Sequence, residues 1–248
     1  MGEWYLESEG VQQYCRSPRL SNEYIAWPAL QELCGDLKGK KVIDLGTAGG
    51  DTAKKLALLG AQCTAVDISP IMLDIAKKST DGLDITYLQR DCSNLDGIVD
   101  NEFDLAVLNF LLCDISDLDK VSSIFKETYR VIKQGGGRAI FTFHHPLQLK
   151  LQGEHVNPQS PVSNVGPTNY FQSGAEVTRK IRTADHGITQ VTNFHWSLED
   201  YVTSFTKAGF LIDAIKEPKP VGVPQEFQET FKIAYAIPLY VVMRGIKP

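Results

Sequence analysis

A chain of 248 residues and 27.5 kDa has room for one α/β domain with a lid or an insertion, and too little for two full domains. Its 43% hydrophobic and 22% charged residues are those of an ordinary globular protein, and no apolar run reaches the ~18 residues of a membrane span. A formal net charge of -5, with Lys pairs only at Lys40-Lys41, Lys54-Lys55 and Lys77-Lys78, argues against a phosphate-tracking basic face and so against a nucleic-acid partner. Five cysteines without a C-x-x-C pair read as reduced thiols of a cytoplasmic protein, with neither a disulfide framework nor a zinc site. The acidic start, Met1-Gly2-Glu3-Trp4-Tyr5-Leu6-Glu7, lacks the pattern of a signal peptide.

In chain order, residues 1–39 read as aromatic-rich helical segments broken at Ser17-Pro18. Lys41 to Leu45 is the first strand, followed by a small-residue turn, Gly46 to Gly50, and a helix from about Asp51 to Leu59. Cys63 to Val66 is the second strand, and Ser69-Pro70 supplies an N-cap and a first-turn proline. Further strands are expected over Ile85–Leu88, Phe103–Leu108 and Arg138–Phe143, with a helix from about Leu118 to Ile132. A segment of about 147–196, its first part rich in Gly, Pro, Asn, Gln and Ser, looks like an insertion over a sheet edge. Ser197 to Asp200 then caps a helix that stops at Gly209, before strands at Leu211–Lys216 and Pro238–Arg244. Alternating β and α elements imply a Rossmann-like, doubly wound, mostly parallel seven-stranded sheet with helices on both faces. In such a sheet a ligand sits at the carboxyl ends of the strands, where strand order reverses.

The residues with chemistry lie just past these strand ends. Glycines in the turn Gly46 to Gly50, which includes Thr47, permit close backbone approach, and the next helix offers free N–H groups to an anion. The turn lacks the last glycine of the G-x-G-x-x-G dinucleotide fingerprint, and Asp44 two residues before it would repel a pyrophosphate but suits a cation. Asp67, followed by Ile68, is placed to accept hydrogen bonds from ribose hydroxyls. Asp91, followed by Cys92, is placed to accept from a purine's exocyclic amine, and Asn109 follows the fourth strand. Cys113 sits in an apolar run without a basic neighbour and reads as packing rather than as a nucleophile. Of His144 and His145, adjacent in sequence, only one can face a given ligand. His195 and Tyr170 are further candidates for the same cleft, and a metal site lacks partners at ligand spacing.

Val42-Ile43-Asp44-Leu45-Gly46, Val66-Asp67-Ile68-Ser69, Asp91, Phe103-Asp104-Leu105 and Arg130-Val131-Ile132-Lys133 before Gly135-Gly136 carry a family resemblance. The chain resembles class I S-adenosylmethionine (SAM)-dependent methyltransferases of the ubiquinone/menaquinone-biosynthesis-like group (type 11/25 methyltransferase domain). Outside the core, Glu23-Tyr24, Pro28-Ala29-Leu30, His145-Pro146, Tyr170, His195 with Leu198, and Glu217-Pro218 are similar to a subgroup of those enzymes.

The resemblance implies methyl transfer from SAM, leaving S-adenosylhomocysteine (SAH), to an oxygen or nitrogen of a small-molecule acceptor, by a monomer or homodimer. It implies a cofactor set of Asp44, Gly46, Thr47, Gly50, Asp67, Ile68, Asp91, Cys92, Asn109 and Tyr24, with residues 1–39 as a helical lid and 40–248 as the catalytic domain. His145 is the expected base, with His195 or Tyr170 nearby. Alternatives are a SAM-binding protein that does not methylate and a methyltransferase of a tRNA or a peptide terminus. Ala48 stands where the family's loop usually has glycine, and a positive φ there would strain the alanine.

Overall fold

The computed structural model describes residues 11–12, 14–15, 17, 19–150, 166, 169–182 and 188–248. A π-helical turn, Asn22–Ala26, leads into α1 (Trp27–Cys34). The core then runs β1 (Lys41–Leu45), α2 (Asp51–Leu58), β2 (Gln62–Asp67), α3 (Pro70–Ser79), β3 (Ile85–Gln89), β4 (Leu105–Asn109), α4 (Leu118–Val131) and β5 (Gly137–His144). After β5 come a hairpin, β6 (Ala175–Arg182) and β7 (Ile188–His195), then α5 (Leu198–Lys207), β8 (Leu211–Lys216), α6 (Lys232–Ala236) and β9 (Tyr240–Lys247). Seven strands form one sheet in the order β3-β2-β1-β4-β5-β9-β8, while β6 and β7 pair separately. All pairings through β5 are parallel, and β9 runs antiparallel to both its neighbours. Strand order reverses between β1 and β4.

Alternation along the buried strands divides the apolar residues between two cores. Val42, Val107, Ile140 and Val242 meet α1 and α2 on one face through Leu30, Leu33 and Leu56. Ile43, Ala106, Phe141 and Met243 meet α4 and α5 on the other, through Phe125, Tyr201 and Phe205. Phe205 stacks on Phe210 with centroids 4.2 Å apart and lies where Gly245 of β9 has no side chain, since a Cβ there would come within 2.4 Å of its ring.

Local signals explain the helix starts. Ser69 accepts a bond from the Met72 N–H at 3.3 Å, with Pro70 in the first turn. Ser197 and Asp200 form a reciprocal capping box, through Asp200 N–H to Ser197 Oγ at 3.1 Å and Ser197 N–H to Asp200 Oδ2 at 2.8 Å. The hairpin was not foreseen within the expected insertion. Its registered pairs Val177 with Asn193 and Arg179 with Val191 put Val177, Arg179, Val191, Asn193 and His195 on one buried face. Residues 151–165 of that insertion and residues 1–10 lie outside the described residues.

Candidate active site

One cavity opens at the carboxyl ends of β1, β2 and β4, at the reversal of strand order. Its walls are continuous from the Gly46–Ala48 turn to the inner face of the hairpin, and Ser17, Arg19 and Asn22 from the N-terminal segment contribute to them.

The β1 turn is shaped by close approach. Gly46 has φ +73°, and a Cβ there would come within 2.7 Å of Leu111. Ala48 has φ +48°, so the strained conformation anticipated for an alanine at this position is the one adopted. Its N–H donates to Asp67 Oδ2 at 2.8 Å, and the Ser69 N–H donates to Asp67 Oδ1 at 2.9 Å. Those bonds fix the carboxylate while leaving acceptor capacity for a ligand. Burial pushes the Asp67 pKa up.

Asp44 stands behind this turn, 1% exposed, with no hydrogen-bond partner for Oδ2. Burial pushes its pKa up to about 7, with Thr47 and the Ala53 N–H opposing. Asn109 donates to Thr52 Oγ1 at 3.1 Å and to Asn22 Oδ1 at 3.3 Å, and its own Oδ1 is buried without a partner. Asp91 is paired with the Lys120 ammonium at 2.8 Å and accepts from Ser93 N–H and Oγ–H at 2.9 and 2.8 Å. Burial would raise the Asp91 pKa, but Lys120 and Ser93 together hold it below the ordinary value.

Of the residues expected to bind a cofactor, Gly46, Thr47, Asp67, Ile68, Asp91, Cys92 and Asn109 line the cavity. Asp44, Gly50 and Tyr24 do not. Gly50, at φ +86°, allows α2 and α3 to approach, since a Cβ would meet Ala76 at 2.9 Å. Tyr24 turns to Phe231, ring edge to face at 5.9 Å, in a separate apolar cluster. The N-terminal segment instead reaches the cavity through residues such as Arg19, whose guanidinium lies 4.5 Å over the Tyr14 ring and 3.7 Å from Asp51.

The three residues expected to act as bases are all turned elsewhere. His144, the last residue of β5, faces the cavity, and alternation carries His145 away. His145 donates from Nε2 to Glu217 Oε1 at 2.7 Å and accepts at Nδ1 from the Leu147 N–H at 3.1 Å, so both ring nitrogens are engaged. His195 donates from Nε2 to the Tyr170 carbonyl at 2.7 Å, and the Tyr170 hydroxyl accepts from the Leu198 N–H at 3.0 Å. Together they brace the entry to α5 outside the cavity wall. Phe171, next to Tyr170, is 84% exposed.

Several cavity residues were not anticipated. Asp114 accepts from Asn193 Nδ2 at 2.6 Å, and burial pushes its pKa up to about 7, against the pull of that bond. The Nδ1 of His144 is buried without a partner. Burial first, and Arg179 second, push the His144 pKa well below its ordinary value. Arg179 reaches the wall from β6. Its signal in sequence is a charged residue at the inward parity of an alternating stretch, Val177-Thr178-Arg179, visible only once that stretch is read as a strand. Cys113 donates from Sγ to the Phe110 carbonyl at 3.0 Å, and burial raises its pKa well above the ordinary thiol value, which suits packing rather than nucleophilic attack.

The strand order and this site define a Rossmann-like nucleotide-binding α/β domain. Residues 43–140 match the Methyltransferase domain family model. N-demethylindolmycin N-methyltransferase of Streptomyces griseus is 27% identical over 170 residues, covering 68% of each chain. A ubiquinone/menaquinone biosynthesis C-methyltransferase of Psychromonas ingrahamii is 35% identical over 124 residues, covering 47% of this chain and 48% of the relative. The chain thus spans about two thirds of the first relative and about half of the second. The crystal structure of a SAM-dependent methyltransferase from Listeria monocytogenes superposes with a TM-score of 0.67 at 21% identity, over 97% of this chain and 100% of that one, and shares the fold. Residues 43–140 thus match a methyltransferase domain within a fold shared with SAM-dependent methyltransferases, and SAM is the cofactor.

The residues present fit that cofactor. Glycine at 46 leaves room for close backbone approach, Asp67 keeps spare acceptor capacity, and Asn109 Oδ1 lacks a protein partner. Among the described residues no group of His, Cys, Asp and Glu could hold a metal ion, and no helix is long and apolar enough to cross a membrane.

Proposed function

We propose that the protein transfers the methyl group of SAM to an oxygen or nitrogen atom of a small-molecule acceptor held in this cavity. The observation that carries the reading is the continuity of the cavity, from the β1 and β2 strand ends to the inner face of the β6–β7 hairpin. The named activity of the Streptomyces griseus relative, N-methylation, supports it. Bound SAM supplies a methyl group already activated on a sulfonium. Gly46, Thr47 and Asn109 would cradle the cofactor's amino-acid end, Asp67 its ribose hydroxyls, and Asp91 with Cys92 and Ile68 its base. Asp44, behind the turn, would contribute by holding the turn and by its charge rather than by contact.

The protein's part in the reaction is alignment, exclusion of water and removal of a proton. Asp114 is the better placed base, because a carboxyl group with a pKa near 7 is both populated as the anion and basic enough at neutral pH. His144, with its free Nδ1, would stay neutral and accept a hydrogen bond from the acceptor. The first forty residues would serve as the lid, which Arg19 and Asn22 on the wall support. Calorimetric titration with SAM, SAH and NAD tests the cofactor, with micromolar binding of both sulfur compounds and none of NAD expected. With an acceptor found, the turnover rate should rise with pH through about 7, and Asp114→Asn should remove that limb and slow turnover about 100-fold. An unchanged profile would remove Asp114 from the reaction.

Methyl transfer to carbon is the second reading, favoured by the C-methyltransferase of Psychromonas ingrahamii. Such an acceptor would still need a base for the proton that leaves the methylated carbon. The atom that carries the methyl group in the product separates the two readings.

A further inference from the structure

Arg179 is 7% exposed, lines the cavity, and has no carboxylate within ion-pair distance among the described residues. Its Nη1 donates to Gln148 Oε1 at 3.0 Å, and Gln148 is itself 5% exposed and locked by a bond from its Nε2 to the Leu239 carbonyl. That contact orients the guanidinium without neutralising it, and Nε is buried with no partner at all. A buried cation whose one hydrogen bond among the described residues goes to a neutral amide is costly to maintain, and an anion is the partner that would offset the cost. The groups facing Arg179 from the packed elements are the Asp114 carboxyl, the Cys113 thiol and the phenols of Tyr201 and Tyr240. Burial raises the pKa of all four: the thiol and the two phenols stay neutral at neutral pH, and Asp114, with a pKa of about 7, is only partly ionised. Arg19, the other guanidinium on the wall, differs in having Asp51 at 3.7 Å. Beside Arg179 stands an aromatic trio: Phe110 lies 4.9 Å from Tyr240 and 5.2 Å from His144, and His144 lies 5.5 Å from Tyr240, centroid to centroid.

Resting on the methyltransferase reading above, we propose that the methyl acceptor is a monoanion, a carboxylic acid, whose carboxylate pairs with Arg179 while its body packs against Phe110 and Tyr240. A guanidinium fork matches a carboxylate in a bidentate pair. Of the three cations on the wall, Arg19 and Lys120 are paired with Asp51 and Asp91, so Arg179 is left to balance one negative charge, and a phosphate dianion would need more.

The experiment is thermal denaturation and calorimetry on the full chain saturated with SAH, titrated with benzoate and with benzamide, its neutral counterpart of the same shape. Benzoate should raise the Tm of the complex and bind at least tenfold more tightly than benzamide. In Arg179→Gln that preference should vanish while the Kd for SAH stays within twofold. Arg179→Lys keeps the charge without the fork and should retain part of the preference, which preserves the test if the Gln variant fails to fold. Equal binding of acid and amide, no binding of benzoate, or a preference that survives in Arg179→Gln overturns the proposal. Failure of the wild-type protein to bind SAH would instead overturn the methyltransferase reading beneath it.

Discussion

Ala48 and Phe110 are two of the three non-glycine residues with positive φ among the described residues, at +48° and +63°, and both line the cavity. Strain at such positions persists where the surroundings hold it, here through the Ala48 N–H bond to Asp67. Replacing Ala48 by glycine should release it, and the variant is expected to gain about 1 kcal/mol in chemical denaturation. Asp67→Ala removes the acceptor for both the Ala48 and Ser69 N–H groups as well as the proposed ribose contacts. Its Kd for SAH should rise at least tenfold, with turnover at saturating SAM falling much less; an equal loss in both would speak for general damage to the turn. At this scale most of the strand-end residues that line the cavity were legible, because a residue just past a parallel strand has few places to go. The histidines were not. Whether His144 or His145 faces the cavity depends on the parity with which β5 ends, and adjacent sequence letters do not carry that phase.

Among the elements, the contact between β9 and α5 is the tightest constraint. Gly245 admits the Phe205 ring, and a methyl group there would meet both that ring and the Leu211 carbonyl, at 2.4 and 3.2 Å. Gly245→Ala should therefore destabilise the fold by about 1–3 kcal/mol, measured as a lower urea midpoint with an unchanged slope. The strands and helices from β1 to β5 were readable from apolar runs bounded by caps and glycines. β6 and β7 were missed because the segment before them is rich in turn-forming residues, which masked the alternation that begins at Ala175. Val177-Thr178-Arg179 and Val191-Thr192-Asn193 do carry that alternation, with polar residues on the inward side where the cavity, rather than a dry core, receives them.

For the molecule as a whole, the buried acids make stability depend on pH. Asp44 has its pKa raised to about 7 by burial, so between pH ~4 and ~7 the folded state holds a proton that the unfolded chain has lost. Its stabilising contribution is complete below the unfolded value of ~4 and is lost as pH rises through about 7, on the order of 4 kcal/mol at ~1.4 kcal/mol per unit. Asp67 and Asp114 act in the same sense. His144, held neutral, acts in the opposite sense below pH ~6.5, and the paired Asp91, Asp104 and Asp200 lose their contributions only below pH ~4. Urea midpoints of the cofactor-free protein at intervals from pH 4.5 to 7.5 should show a shallower decline with rising pH for Asp44→Asn than for the wild type. Identical slopes would mean that Asp44 titrates normally.

The order of strands and helices, the carboxyl-end location of the site and the cofactor class follow from local pattern. Apolar period, capping residues and strand-end acids are short-range features that every copy of the chain displays before it folds. The far wall of the cavity needed the tertiary structure. Asp114 follows β4, His144 ends β5, and Arg179 and Asn193 come from the hairpin, and they meet on one wall only because parallel crossovers and hairpin packing close long loops over the sheet. Burial itself is a tertiary property, and it turns Asp114 into a group poised near neutrality and Arg179 into a cation in need of a partner.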